Sequence, residues 1–206
     1  MASKNTIYSI GFYSAILSAI FAIVYDIAQL MNLPGKIIGP WDSVFITLPS
    51  LLLSFAFIPM MVCIYYYSSE EKKIWSHLGI VFAALYTALV SIAYIVNLAI
   101  VVPNMLAGNY EKVAFLDVLT KNSFMMPIDA LGYGFMSLSL LFTAQVFIGG
   151  TKLELWTGRA FLAHGILGPV IVLALFIPSL IYIGALWMIT FPLSAILLAA
   201  LFRKNR

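Results

Sequence analysis

Between Arg159 and Arg203 the chain runs for 43 residues without one charged side chain. A helix rises about 1.5 Å per residue, so roughly 20 residues cross a hydrocarbon core about 30 Å thick. A single helix of that whole run would be about 65 Å long, so it has to fold back on itself. Pro178 and Gly184 punctuate it near its middle. Residues 5–25, 43–69, 74–110 and 130–151 are also free of Asp, Glu, Lys and Arg. Together these runs predict six crossings, at about 7–30, 43–66, 74–101, 126–148, 160–177 and 185–202. The expected fold class is all-α: a polytopic integral membrane protein, a six-transmembrane-helix bundle, with residues 1–206 forming one transmembrane domain.

Composition agrees. Apolar residues make up 63% of the chain and charged residues 9%, against about 25% charged in a soluble domain. The first apolar stretch, from Ile7 to about Leu30, exceeds the 7–15 residues of a signal peptide's apolar core and reads as a retained span. Residues 31–40 carry Pro34, Gly35, Gly39 and Pro40 and break the helix. Charged residues 70–73 separate spans two and three, and Gly149-Gly150 closes span four. The longest loop, 102–123, holds Pro103 and a Gly108-Asn109 turn signal. Val113, Leu116 and Leu119 recur there every three residues, which predicts a short interfacial helix over about 110–120.

Charge orients the spans. Placing the N-terminus inside puts Lys4, Lys72, Lys73, Lys152, Arg159, Arg203, Lys204 and Arg206 on the inner side, and only Lys36, Lys112 and Lys121 outside. Basic residues accumulate in short cytoplasmic loops, so both termini are expected in the cytoplasm. The expected location is the cell membrane, of bacterial cytoplasmic type. Trp41 and Trp187 fall near the expected outer interface, Trp75 and Trp156 near the inner one, where amphipathic rings settle. Ile46-Thr-Leu-Pro49 and Ile189-Thr-Phe-Pro192 match, and Pro127 holds a comparable place in span four. Three parallel hairpin repeats is one reading; proline's general preference for helix starts is the other.

Several function classes drop out. No basic cluster is interleaved with aromatics, so nucleic acid is not an expected partner. Cys63 is the only cysteine, which excludes an intrachain disulfide and a multi-cysteine metal site. The sequence has no His-Glu-x-x-His, no Gly-x-Ser-x-Gly and no phosphate-cradling glycine loop, so no catalytic residue and no enzyme class is assigned. His77 and His164 alone are too little for haem ligation. They read as an interfacial and a hydrogen-bonded histidine. No cofactor or metal is implied.

Two carboxylates, Asp26 and Asp129, fall inside the spans, where charge is expensive and tends to be functional. Polar residues recur at helical spacing: Ser14, Ser18, Asp26 and Gln29 in span one, Thr87, Ser91, Tyr94 and Asn97 in span three, Asp129, Tyr133 and Ser137 in span four. Hydrocarbon cannot satisfy such groups, so these stripes face inward, as interhelical hydrogen bonds or as a site. The candidate site is an outer-facing polar pocket of Asp26, Gln29, Tyr94, Asn97, Asp129 and Tyr133, taking a small molecule or a proton. The corresponding function is transport or small-ligand binding. The alternatives are an accessory membrane subunit without a ligand of its own and, third, a membrane-embedded enzyme. Membrane lipid is an expected partner, and a membrane oligomer is open.

The topology makes a direct prediction. In a Cys63-free background, a cysteine at Asn109 is labelled by impermeant reagent from outside the cell and one at Ser69 only after the membrane is opened. The reverse pattern would invert the orientation.

Overall fold

The structure, a computed structural model, describes residues 3–32 and 39–206. Pro34, Gly35 and Lys36 of the first expected break lie outside the described residues. The chain forms α1 (Lys4–Met31), α2 (Pro40–Tyr67), α3 (Lys73–Val96), α4 (Val102–Leu106), α5 (Met125–Thr143), α6 (Lys152–Gly165), α7 (Leu167–Leu173), α8 (Ile181–Gly184) and α9 (Trp187–Asn205). Among the described residues six helical segments are long and apolar enough to cross a membrane: Lys4–Met31, Pro40–Tyr67, Glu70–Leu106, Met125–Phe147, Lys152–Leu173 and Pro178–Asn205.

Local chemistry sets the ends. Ser3 caps α1 by accepting from the Thr6 amide. Asp42 reaches back to the Gly39 amide at the start of α2, with Pro40 in the first turn, where its missing N–H costs nothing. Thr151 and Glu154 form a capping box at the start of α6, so span five begins eight residues before the expected 160. Gly149, with φ of 76°, turns the chain in the left-handed region after span four.

The six segments pack in chain order into a closed ring. α1 lies on α2, α2 on α3, α3 on α5, α5 on α6 and α7, α6 on α9, and α9 returns to α1. Both termini therefore share one end of the bundle, where Tyr8 meets Phe202. Small residues permit the close approaches. An added Cβ at Gly165 would stand 2.8 Å from the Leu141 Cα, and one at Gly11 2.6 Å from the Phe202 ring. Gly79 lets α5 close in so that Ser139 donates to the Gly79 carbonyl at 2.7 Å. On α1 the series Gly11, Ala15, Ala19 and Ser14, Ser18, Ala22 forms the buried face, a small-residue pattern typical of membrane helix pairs.

Three expectations change. The expected interfacial helix over about 110–120 resolves into two single 3₁₀ turns, Tyr110–Lys112 and Ala114–Leu116. Trp187 is not at the lipid interface; it is 5% exposed and stacks on Phe191 in the centre. Span three does not stop at about 101 but runs to Leu106 through a π turn, Asn97–Val101. Proline at 103 lacks an N–H and crowds the carbonyl four residues back, and the widened turn just before it accommodates that defect. Pro49 and Pro192 lie inside α2 and α9, whereas Pro127 falls in the first turn of α5.

Gly165→Ala should lower stability by about 1–3 kcal/mol through overpacking against Leu141. Gly184→Ala, whose Cβ would meet nothing nearer than Ile171 at 3.8 Å, should stay within about 0.5 kcal/mol. Thermal melts in detergent compare the two.

Candidate functional site

Five aromatic rings close a circuit in the middle of the ring of helices. Centroids of Phe57 and Tyr86 are 5.4 Å apart, Tyr86 and Tyr133 5.7 Å, Tyr133 and Trp187 5.3 Å, Trp187 and Phe191 5.5 Å, and Phe191 and Phe57 6.0 Å. Tyr25 and His164 join from α1 and α6 by packing on Trp187. Every one of the six spans contributes at least one ring.

Above this circuit, toward the end away from the termini, sits Asp129. It is half-buried, and its Oδ1 is fully enclosed without a hydrogen-bond partner. Tyr25, Tyr86, Tyr94 and Tyr133 lie within its electrostatic reach, while the Tyr86 hydroxyl is itself enclosed without a partner. Tyr94 and Tyr133 share a 2.9 Å hydrogen bond. Gln29 donates to the Tyr25 oxygen at 3.0 Å, which leaves the Tyr25 proton for another acceptor. Among the described residues the only ion pair is Lys73–Glu70, so no cation neutralises Asp129.

The six candidate residues thus divide. Asp129, Tyr94, Tyr133 and, through Tyr25, Gln29 come together. Asp26 is buried on α1, on the far side of the ring from α5, and its Oδ1 is unpartnered. Tyr25 is the side chain that senses both carboxyls. Asn97 belongs to a different network. It accepts from Ser43 at 2.7 Å and donates to Asp117 at 2.8 Å, joining α2, the π turn and the long loop.

Asp117 went unnoticed in the sequence. It is 2% exposed, and its carboxyl also accepts from Tyr110, Thr120 and the Leu119 amide at 2.8, 2.9 and 3.0 Å. Its signal is an Asx turn, in which the Asp117 carboxyl accepts from the Leu119 amide two residues on, and the three-residue apolar rhythm of Val113, Leu116 and Leu119 masks it. Burial first, and Asp117 with it, raises the Tyr110 phenol above its ordinary value, partly offset by the hydrogen bond to Thr120. A raised folded value means that this contribution to loop stability is complete below about pH 10, the ordinary phenol value, and is lost as pH rises through the folded value.

Of the other polar stripes, some members bond across or within helices, whereas the Ser18 and Ser137 hydroxyls are enclosed without a partner. Thr87 donates to the Ser54 carbonyl at 3.0 Å, and Ser54 and Ser91 meet at 3.3 Å. Ser14 instead bonds its own helix at Ile10. His164 is fully buried, with Nδ1 3.0 Å from the Thr190 oxygen. Thr190 gives its proton to the Leu186 carbonyl, so His164 Nδ1–H is the donor and the enclosed Nε2 is a bare acceptor. His77 is exposed and packs edge-on to Tyr65. At the end carrying the termini a cleft of about 320 Å³ holds Tyr67, Ser68, Lys72 and Glu154. Tyr67 donates to Glu154, and Lys72 to the carbonyls of Val146 and Ile148, so these groups already satisfy one another and tie the helix ends together.

Comparison with protein-family profiles, curated proteins and solved structures finds no match to this chain. The chemistry has to be argued from the side chains themselves.

Asp117→Ala orphans donors from Asn97, Tyr110, Thr120 and Leu119 at once. It should cost about 2–4 kcal/mol and expose the loop around residues 107–124 to proteolysis. Asp117→Asn should be milder, since an amide keeps an acceptor oxygen. Limited proteolysis together with melting in detergent checks both.

Proposed function

We infer that this chain is a proton-linked membrane protein, a small transporter or ligand-binding protein, with Asp129 as its proton-carrying group. The observation that carries the reading is a carboxyl in a bundle of helices long and apolar enough to cross a membrane, within electrostatic reach of tyrosines on α1, α3 and α5 and, among the described residues, neutralised by no cation. A carboxyl in that setting can exchange its charge for a proton. The hydroxyls around it can donate to the carboxylate and accept from the acid. Tyr94 and Tyr133, paired with each other, and Tyr25, held by Gln29, are the hydroxyls that this reading assigns to the site. A proton needs no cavity of its own, which suits a centre filled by aromatic rings. In this reading the bundle sits in a bacterial-type cytoplasmic membrane with both termini inside, so Asp129 lies in the outer third.

The filled centre favours one second reading, an accessory membrane subunit whose polar residues only specify packing. Infrared difference spectra between mildly acidic and alkaline buffer separate the two. Proton binding predicts a carboxylic-acid carbonyl band that titrates in the wild type and vanishes in Asp129→Asn, with the melting temperature little changed. Were the band to persist in Asp129→Asn, and Asp129→Leu to fold more stably than wild type, the packing reading would stand instead.

A further inference from the structure

A groove of about 520 Å³ opens between α1 and α2. Ser14 and Ala56 form its floor; Tyr13 and Leu17 on one side and Phe55 and Pro59 on the other form its rims. Small residues on α1 and a proline inside α2 leave the helices without large side chains to fill the gap. Along α1 the lining runs from Ser9 to Phe21. At about 1.5 Å per residue that is roughly 18 Å, close to the thickness of one leaflet, about half of a 30 Å core. Its length is that of an acyl chain lying parallel to the helices.

Charge marks one end of the groove. The Arg206 guanidinium lies 5.2 Å from the centre of the Tyr13 ring and 3.5 Å from the Tyr13 hydroxyl. Helical side chains tilt toward the N-terminus, so Tyr13 points its hydroxyl toward the end of the bundle that carries Lys4, Arg203, Lys204 and Arg206. None of these four cations has a carboxylate partner among the described residues. Basic clusters next to a span attract anionic lipid headgroups, and arginine holds phosphate through paired donors.

We propose that the α1–α2 groove is a binding site for one anionic phospholipid, its acyl chain lying between Tyr13–Leu17 and Phe55–Pro59 and its phosphate held by Arg206 beside Tyr13. The site is separate from Asp129 and does not depend on the proton chemistry there. A lipid seated in the groove covers the face that α1 otherwise leaves open and braces the first span against the second.

Native mass spectrometry of the detergent-solubilised full chain tests this, with phosphatidylglycerol and phosphatidylcholine of identical acyl chains as probes. One phosphatidylglycerol should be retained in preference to phosphatidylcholine. Arg206→Gln, an exposed change that leaves the fold intact, should weaken that preference by about fivefold, the effect of one basic residue near an anionic surface. Ala56→Leu, which fills the floor of the groove, should weaken both lipids alike, with melting curves confirming that the bundle is folded. Equal retention of the two lipids by the wild type, or an unchanged preference in Arg206→Gln, would overturn the proposal and leave ordinary bilayer lipid at this face. A lipid-free dimer that Ala56→Leu converts to monomer would also overturn it, assigning the groove to a second copy of the chain.

Discussion

Stacking at the bundle centre governs the rest of this structure. Six helices in a ring leave an axial column that neighbouring backbones cannot fill, and water would be costly there. Phe57, Tyr86, Tyr133, Trp187 and Phe191 fill it with rings in mutual contact. Aromatic pairs at such separations add about 0.5–1.5 kcal/mol beyond their burial. Their geometry also fixes where the polar tips go. Tyr133, held between Tyr86 and Trp187, meets Tyr94, and both lie within electrostatic reach of Asp129. The position of the acid follows from the packing of the apolar rings beneath it.

The six segments were legible because a bilayer would impose one demand on all of them, that backbone groups be satisfied internally over about 20 apolar residues. Their number and their order along the chain follow from uncharged runs alone. The ends were less legible. Helix termini obey caps such as Thr151–Glu154, which lie among charged residues that a hydropathy reading assigns to the loop. Trp187 misled for a related reason. An indole near the end of a span suits either the interface or a polar-lined centre, and which one it takes depends on the helices beside it. Its Nε1 remains without a partner in the centre, so the interface would have satisfied it better; ring packing on four neighbours prevailed.

The candidate site was half visible. Helical periodicity put Asp129 and Tyr133 on one face and Tyr94 and Asn97 on another, and the first three do meet. Asn97 left that group because the π turn ahead of Pro103 places it at the mouth of the long loop, where Ser43 and Asp117 hold it. Periodicity at 3.6 residues cannot anticipate a turn of different pitch. Tyr25 and Tyr86 were invisible for another reason. Tyrosines in an apolar run read as interface anchors or core, and only the assembled ring brings them within electrostatic reach of one carboxyl.

The closed ring also has an order of construction. Each span finds its partner in the one just before it, except that the first must wait for the sixth, since α9 is the neighbour of both α6 and α1. Until that last helix inserts, the small-residue face of α1 lacks half of its cover and the circuit of rings lacks Trp187 and Phe191. Asp26 and Asp129 would face an unfilled axis during that interval. A chain cut before α9 would therefore lose both the closure of the ring and two of the five rings of its central circuit.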